Sequence, residues 1–218
     1  MRILFLVSLT ALCSDGIADE KVVTDLPLVF SEDFEGGTDH WELTDDAAWT
    51  LSEKDGNHFF GLNKRKSDYK PPHRSPHNIA LIKDLSLSDF VMTFKVKSTK
   101  DTGGHRDCCV FFCHTGATHF YYCHLGAKPD PHSGQIMIVK DAPRLALTEN
   151  KNPTGWKNET WHNVKVTRRA ATGKIKVYFD DMKTPHMEIT DKTFAKGRLG
   201  IGSFDDMNDF DEIRIYGR

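Results

Sequence analysis

The chain has 218 residues, with 29 Lys and Arg against 31 Asp and Glu and a formal net charge of −2. Both signs of charge are interspersed along it, so the composition gives no reason to expect a nucleic-acid partner or an anionic membrane surface. The length suits one β-rich domain with a well-buried core better than two small domains.

Met1-Arg2 opens the chain and the apolar run Ile3 to Leu12 follows. A run of about ten apolar residues behind a positive charge has the dimensions of a signal peptide and is too short to cross a bilayer. Cleavage after Ala18, with Gly16 and Ala18 as the small residues, leaves residues 1–18 as the leader and 19–218 as a single mature domain. Cleavage after Cys13 is the other choice, and a buried N-terminal strand is the competing reading of the whole segment. No later stretch is long and apolar enough for a membrane helix. The expectation is a secreted or periplasmic monomer with no membrane span.

The next elements are short. Lys21 to Phe30 is weakly extended, and Ser31 to Gly37 is an acidic strand ending in a glycine turn. Strand-like pieces follow around Trp41, Trp49 and His58 to Leu62, separated by polar turns. Lys64 to His77 carries Pro71, Pro72 and Pro76 among basic residues, so it reads as a long surface loop, either functional or merely mobile. Asn78 to Ile82 is extended. In Phe90 to Val96 the residues Phe90, Met92, Phe94 and Val96 alternate with Val91, Thr93 and Lys95, as in a strand with one buried and one wetter face.

His105 to Gly126 organises the middle of the chain. Two aromatic-rich arms flank Thr115-Gly116-Ala117, which predicts an antiparallel hairpin with one left-handed residue in its loop. Setting Cys113 opposite His119 puts Phe112 opposite Phe120, Phe111 opposite Tyr121, Val110 opposite Tyr122 and Cys109 opposite Cys123. One face then carries Val110, Phe112, Phe120 and Tyr122 and reads as core. The other carries Cys109, Phe111, Cys113, His119, Tyr121 and Cys123, and reads as the floor of a binding groove. In this register a Cys109–Cys123 disulfide is possible, and four reduced cysteines packed as small hydrophobes is the alternative. Cys108 and Cys109 point to opposite faces, which argues against their sharing a zinc ion.

Strands are then expected at Gln135 to Val139, Trp161 to Thr167, Lys174 to Phe179, around Leu199 and Ile201, and at Phe210 to Tyr216. About a dozen short strands with no amphipathic helix predict an all-β, antiparallel two-sheet β-sandwich.

Two distant stretches carry a family resemblance. Phe30-Ser31-Glu32-Asp33-Phe34-Glu35-Gly36 with Trp41 resembles the opening strand, and Gly197 to Asp206 followed by Phe210 to Ile213 the closing hairpin, of exported concanavalin A-like jelly-roll domains, also called laminin G-like. Trp161-His162-Asn163-Val164 and Gly173 to Asp181 look like an internal segment of the same fold. The whole pattern is similar to secreted proteins of planctomycete-type polysaccharide-degrading bacteria. The resemblance implies a polysaccharide or oligosaccharide partner held on the concave sheet. It also implies a structural calcium ion tying the first and last strands, for which Asp33, Glu35, Asp211 and backbone carbonyls near them are the candidate oxygen ligands, a solvated acidic edge being the alternative.

The fold hosts binding modules and enzymes alike, so chemistry must be read from side chains. The Glu-x-Asp-x-x-Glu strand of laminarinase-type glycosidases is absent. So are the Arg-Thr-Glu-Leu-Arg and Gln-Ile-His strands of alginate lyases. A lyase-like β-elimination needs a base, an acid and a cation. His119 and Tyr121 are the candidate catalytic pair, or else half-buried sheet residues making ordinary hydrogen bonds. His105, Arg106, His124, Lys140 and Arg144 lie where they could line the rim and bind the sugar, while Arg106 and Asp107 could instead form a surface ion pair. A 3-keto-glycoside or other glycoside hydrolase is a further enzymatic reading. Because no complete catalytic set can be named, recognition of a glycan is the preferred expectation.

Overall fold

The computed structural model describes residues 24–218; the expected signal peptide lies outside them. The described part is an antiparallel two-sheet β-sandwich with two 3₁₀ turns, at Asp46–Ala48 and Gly103–His105. Its first eight strands are β1 (Leu28–Glu32), β2 (Trp41–Leu43), β3 (Trp49–Lys54), β4 (Asn57–Leu62), β5 (Asn78–Leu87), β6 (Phe90–Ser98), β7 (Cys109–Gly116) and β8 (His119–His124). The rest are β9 (Ile136–Lys140), β10 (Leu145–Ala146), β11 (His162–Arg169), β12 (Lys174–Phe179), β13 (Met187–Thr190), β14 (Gly197–Ser203) and β15 (Asn208–Gly217). No helix among the described residues is long and apolar enough to cross a membrane.

One sheet runs β13-β12-β11-β6-β15-β4-β3, with β1 also on β15, and the other runs β10-β9-β8-β7-β14-β5-β2. The first and last strands are neighbours: β1 pairs with the C-terminal half of β15, Glu32 facing Ile213, while β4 pairs with its N-terminal half, Phe60 facing Phe210. The expected closing hairpin is not one. Strands β14 and β15 belong to different sheets, and 204–207 carries the chain across the sandwich between them.

Alternation explains the layers. On β11 His162, Val164, Val166 and Arg168 are buried while the residues between them are at least partly exposed, which is what a strand with one face on a core requires. The inner faces of both sheets meet in one core, where Phe90 of β6 packs 5.6 Å from Phe112 of β7 and Trp49 stacks 4.8 Å from Phe60.

A second apolar cluster lies on the outer face of the seven-stranded sheet: Ile79, Leu81, Cys109, Phe111, Phe120, Tyr122, Met137 and Val139, all buried. The outer face of an antiparallel sheet is ordinarily wet, so this one needs a cover. The 63–77 connection is fastened along this side. Asn78 Nδ2 donates to the carbonyls of Lys64 and Arg65, the Arg144 N–H donates to the Arg74 carbonyl, and the His77 ring packs 5.3 Å from Phe204. Gly202 makes the close packing here possible, since a Cβ on it would stand 2.0 Å from the Asn78 carbonyl oxygen and 3.1 Å from the Phe111 ring.

The β7–β8 hairpin forms, but its register is one residue away from the expected one. Cys109 faces His124, Val110 faces Cys123, Phe111 faces Tyr122 and Phe112 faces Tyr121. The cause is a bulge: Cys113, not the glycine, takes the left-handed conformation (φ 50°), and the pairing resumes only at Gly116 and His119. A slip of one residue turns every side chain of a strand to the other face. Tyr121 and Cys123 therefore join the inter-sheet core, and Phe120 and Tyr122 go to the outer face. Cys109 is not opposite Cys123, and Cys108, Cys109, Cys113 and Cys123 are all buried free thiols.

Candidate functional site

At one end of the outer face a half-enclosed cavity of about 490 Å³ opens, within the roughly 300–1,000 Å³ typical of small-ligand sites. Six segments build it. The 3₁₀ turn and the residues leading from it into β7 bring Gly104, His105, Arg106 and Asp107, the end of β8 brings His124, and the β8–β9 loop brings Lys128, Asp130, His132 and Ser133. The 63–77 connection adds Arg74, the β9–β10 turn adds Arg144, and the β14–β15 crossover adds Phe204 and Asp205.

Phe204 is the hub of this wall. His124 stacks 6.1 Å from it, and the Arg144 guanidinium lies 4.4 Å over its face. Buried polar atoms without a protein partner gather here: Arg106 Nε, Arg144 Nε and Nη1, and His124 Nε2. None of these atoms has a hydrogen-bond partner in the protein, so each carries part of the cost of a desolvated group.

Asp107 anchors the floor. Its carboxylate accepts from Ser203 Oγ (2.8 Å) and from the backbone N–H groups of Phe204 (2.8 Å) and Asp205 (3.1 Å), while Asn208 Nδ2 donates to its carbonyl at 2.8 Å. Burial pushes this carboxyl up, and the facing His124 with those donors more than reverses the push, holding it below the ordinary carboxylate range. His124 Nε2 stands 3.7 Å from Asp107 Oδ2, and Cys109 Sγ stands 3.9 Å from Asp107 Oδ1. Burial drives the Cys109 thiol far up, and the Asp107 charge adds to it. Asp205 is also raised, by burial first and then by Asp107 beside it.

Of the seven residues expected to bind or react, the cavity gathers His105, Arg106, His124 and Arg144. Arg106 does not pair with Asp107; it bonds Asn158 and lies 3.4 Å from Asp101. Lys140 sits opposite His119, away from the cavity at the turn end of the hairpin. His119 and Tyr121 do share a face, but it is the inner one, where both rings meet Phe194 edge-on. His119 is half-exposed, bonded to Thr118 Oγ1 at 2.9 Å and to Asp141 at 3.0 Å. The Tyr121 hydroxyl donates to Asp191 and accepts the Phe194 N–H at 3.0 Å. Burial first, then the Asp191 carboxylate, pushes its phenol up to about 12.

Asp33, Glu35 and Asp211 each serve protein donors. Glu35 takes the N–H and the imidazole of His58, Asp211 takes Asn57 Nδ2 at 2.9 Å, and Asp33 takes the Glu35 N–H at 3.2 Å. Calcium requires six or more converging oxygens. Among the described residues the one set of three ligand-bearing side chains within 4.8 Å of one another is Asp107, Cys109 and His124. Asp33, Glu35 and Asp211 form no such set.

Asp107 and Phe204 were not legible as site residues. Asp107 stands two residues before Cys109, the first residue of β7, and Cys109 faces His124. The correct register would have brought the three together.

Compared with solved structures, the chain matches in shape and little in sequence. Carbohydrate-binding module CBM66 from Bacillus subtilis superposes with a TM-score of 0.59 at 17% identity, over 82% of this chain and 96% of the module. Domain 4 of the extracellular arabinanase AbnA from Geobacillus stearothermophilus, solved with arabinotriose, gives 0.57 at 13% identity, over 88% and 93%. Peanut lectin gives 0.57 at 12% identity, over 88% and 97%. No protein-family model matches the chain, and no curated protein matches its sequence. The fold is thus the concanavalin A-like jelly roll of carbohydrate-binding modules and lectins, as expected.

Proposed function

We propose that this protein recognises a glycan in the cavity at the end of its seven-stranded sheet, and that the sugar bears a carboxylate or sulfate. The observation that carries the reading is Arg144, a guanidinium with two buried, unpartnered nitrogens, Nε and Nη1, and its central carbon 4.4 Å from the centre of the Phe204 ring. Nε and Nη1 point along different edges of the guanidinium, so each can donate to one oxygen of an anionic sugar substituent with charge assistance, and the exposed part of an aromatic ring offers an apolar face to a pyranose or furanose. Arg106 and His105 supply further donors from the rim. The kinds of protein that share this fold, two of them a carbohydrate-binding module and a lectin, support the same reading. A polysaccharide partner fits an exported chain.

Affinity electrophoresis through neutral and acidic polysaccharides, followed by calorimetry on the best ligand, tests it. Retention on an acidic polysaccharide is expected. Arg144→Ala should weaken binding by about tenfold to a hundredfold, the ~1.5–3 kcal/mol of a charge-assisted hydrogen bond. Retention on none of the panel would overturn the reading, and binding untouched by Arg144→Ala would remove the glycan from this cavity. New reducing ends or an unsaturated product in the same samples would replace recognition by catalysis.

A further inference from the structure

Two residues of the cavity wall, with a buried thiol behind them, form a second set of groups that glycan recognition does not require. Asp107 lies two residues before Cys109, which opens β7, and His124 is the direct partner of Cys109 across the hairpin. Their ligand atoms all lie within 4.8 Å of one another, and all three side chains are buried. We propose that Asp107, Cys109 and His124 bind one transition-metal ion of the zinc class, with its remaining coordination position open to the cavity.

The histidine is the strongest sign. His124 Nδ1 lies 3.1 Å from the His132 carbonyl oxygen, an acceptor only, so Nδ1 carries the proton. With the ring protonated Nε2 is the cationic half of a long 3.7 Å contact with Asp107, and with the ring neutral it is a buried lone pair, with no hydrogen-bond partner, aimed at that carboxylate. Two acceptors facing each other repel unless a proton or a cation lies between them, and 3.7 Å is too long for a good hydrogen bond. It is the right span for two ligands on one ion. Zinc bonds of about 2.0–2.3 Å at tetrahedral angles set neighbouring donor atoms roughly 3.3–3.7 Å apart. The 3.9 Å between Cys109 Sγ and Asp107 Oδ1 is only slightly wider.

The surroundings match what metal ligands need. A backbone carbonyl fixes the histidine tautomer, and Ser203 with two backbone N–H groups orients the carboxylate; outer partners of this kind hold ligands in place and tune their basicity. Charge also closes: one carboxylate and one thiolate balance a dication. On binding, Cys109 forms the sulfur–metal bond and loses its proton to solvent, so uptake releases one proton per ion. Mixed sulfur, nitrogen and oxygen donors favour zinc over calcium or magnesium, which take oxygen alone. The site is independent of the glycan reading, because it can be measured with no sugar present.

The test uses the purified full chain, stripped with chelator and checked by circular dichroism for retained fold. Cobalt(II) is added to follow the thiolate-to-metal charge-transfer band, zinc is then used to displace it, and the zinc content is measured by mass spectrometry after gel filtration. One equivalent of zinc and a charge-transfer band that zinc erases and calcium does not are expected. Cys109→Ala and His124→Gln should each abolish the band or weaken zinc at least tenfold, while Cys108→Ala, on the opposite face, should leave both unchanged. If His124→Gln fails to fold, Cys109→Ala decides the matter. No stoichiometric zinc at micromolar concentration, or zinc held equally well by the Cys109 variant, would overturn the proposal.

Discussion

The β7–β8 hairpin has polar clusters at both ends, and they are built on opposite principles. Toward its turn, on the inner face, Tyr121 meets Asp191 and the Phe194 N–H, the Thr193 N–H donates to Asp191 at 2.8 Å, and Arg168 donates to the carbonyls of Ser88, Ala195 and Phe194. Only Arg168 Nε lacks a partner in that set. This cluster bolts the 191–195 segment across the end of the sandwich. Toward the open end, on the outer face, Arg106, His124 and Arg144 keep buried nitrogens unpaired around a cavity. A satisfied network specifies and stabilises a structure, whereas unsatisfied buried donors cost stability and are held where a ligand completes them.

Breaking the bolt should produce the largest effect. Arg168 is almost wholly buried with no carboxylate bonded to it, so its guanidinium serves main-chain carbonyls alone. Arg168→Ala would strand those acceptors and open a void, for a loss of roughly 3–4 kcal/mol in urea unfolding. A loss below about 1 kcal/mol would mean that the sandwich end is held by something else.

The cavity end predicts a pH effect of opposite character. Asp206, in the crossover that supplies Phe204, is buried and accepts from Ser98 Oγ and Thr102 Oγ1, each at 2.9 Å. Burial pushes its carboxyl up to about 6; the two hydroxyls pull it back and the Asp107 charge adds to the rise. The folded chain thus binds this proton more tightly than the unfolded chain does. Stability from Asp206 is therefore complete below pH 3.8 and lost as pH rises through about 6. The slope is at most ~1.4 kcal/mol per pH unit, on the order of 3 kcal/mol in all. Asp206→Asn, which keeps an acceptor and removes the charge, should flatten the fall in Tm between pH 4 and 6. A wild-type and variant difference that stays constant over that range would refute the assignment.

How far the sequence revealed these two clusters depends on register. The alternation in β6 and the spacing of the other short strands made the sandwich legible, because one buried face per strand leaves a period of two in the residues. Convergence of His105, Arg106 and His124 was legible as well, since they flank the two arms at the same end of one hairpin. Lys140 was misplaced because β9 runs antiparallel to β8 and sets it against His119. The faces of β8 were not legible. They hinge on Cys113 adopting a left-handed conformation that sequence reasoning assigns to glycine, and Gly116 stood nearby as the obvious choice. With that one bulge unforeseen, Tyr121 was placed in the groove and His124 lost its neighbours Cys109 and Asp107.

The finest separation of the two clusters is Tyr121→Phe set beside Arg144→Ala. The Tyr121 ring packs 5.3 Å from Phe112 and keeps its place in the core when the hydroxyl is removed. What disappears is a donor to Asp191 and an acceptor for the Phe194 N–H, worth about 1 kcal/mol net in chemical unfolding. Glycan retention should not change, because no Tyr121 atom lines the cavity. Arg144→Ala should do the reverse, leaving stability within about 0.5 kcal/mol while binding falls. Its buried nitrogens have no protein partner to lose, so the free protein gives up little besides the contact with the Phe204 ring. If Tyr121→Phe weakened binding at unchanged stability, the satisfied end of the hairpin would have to be reassigned to function, together with His119 beside it.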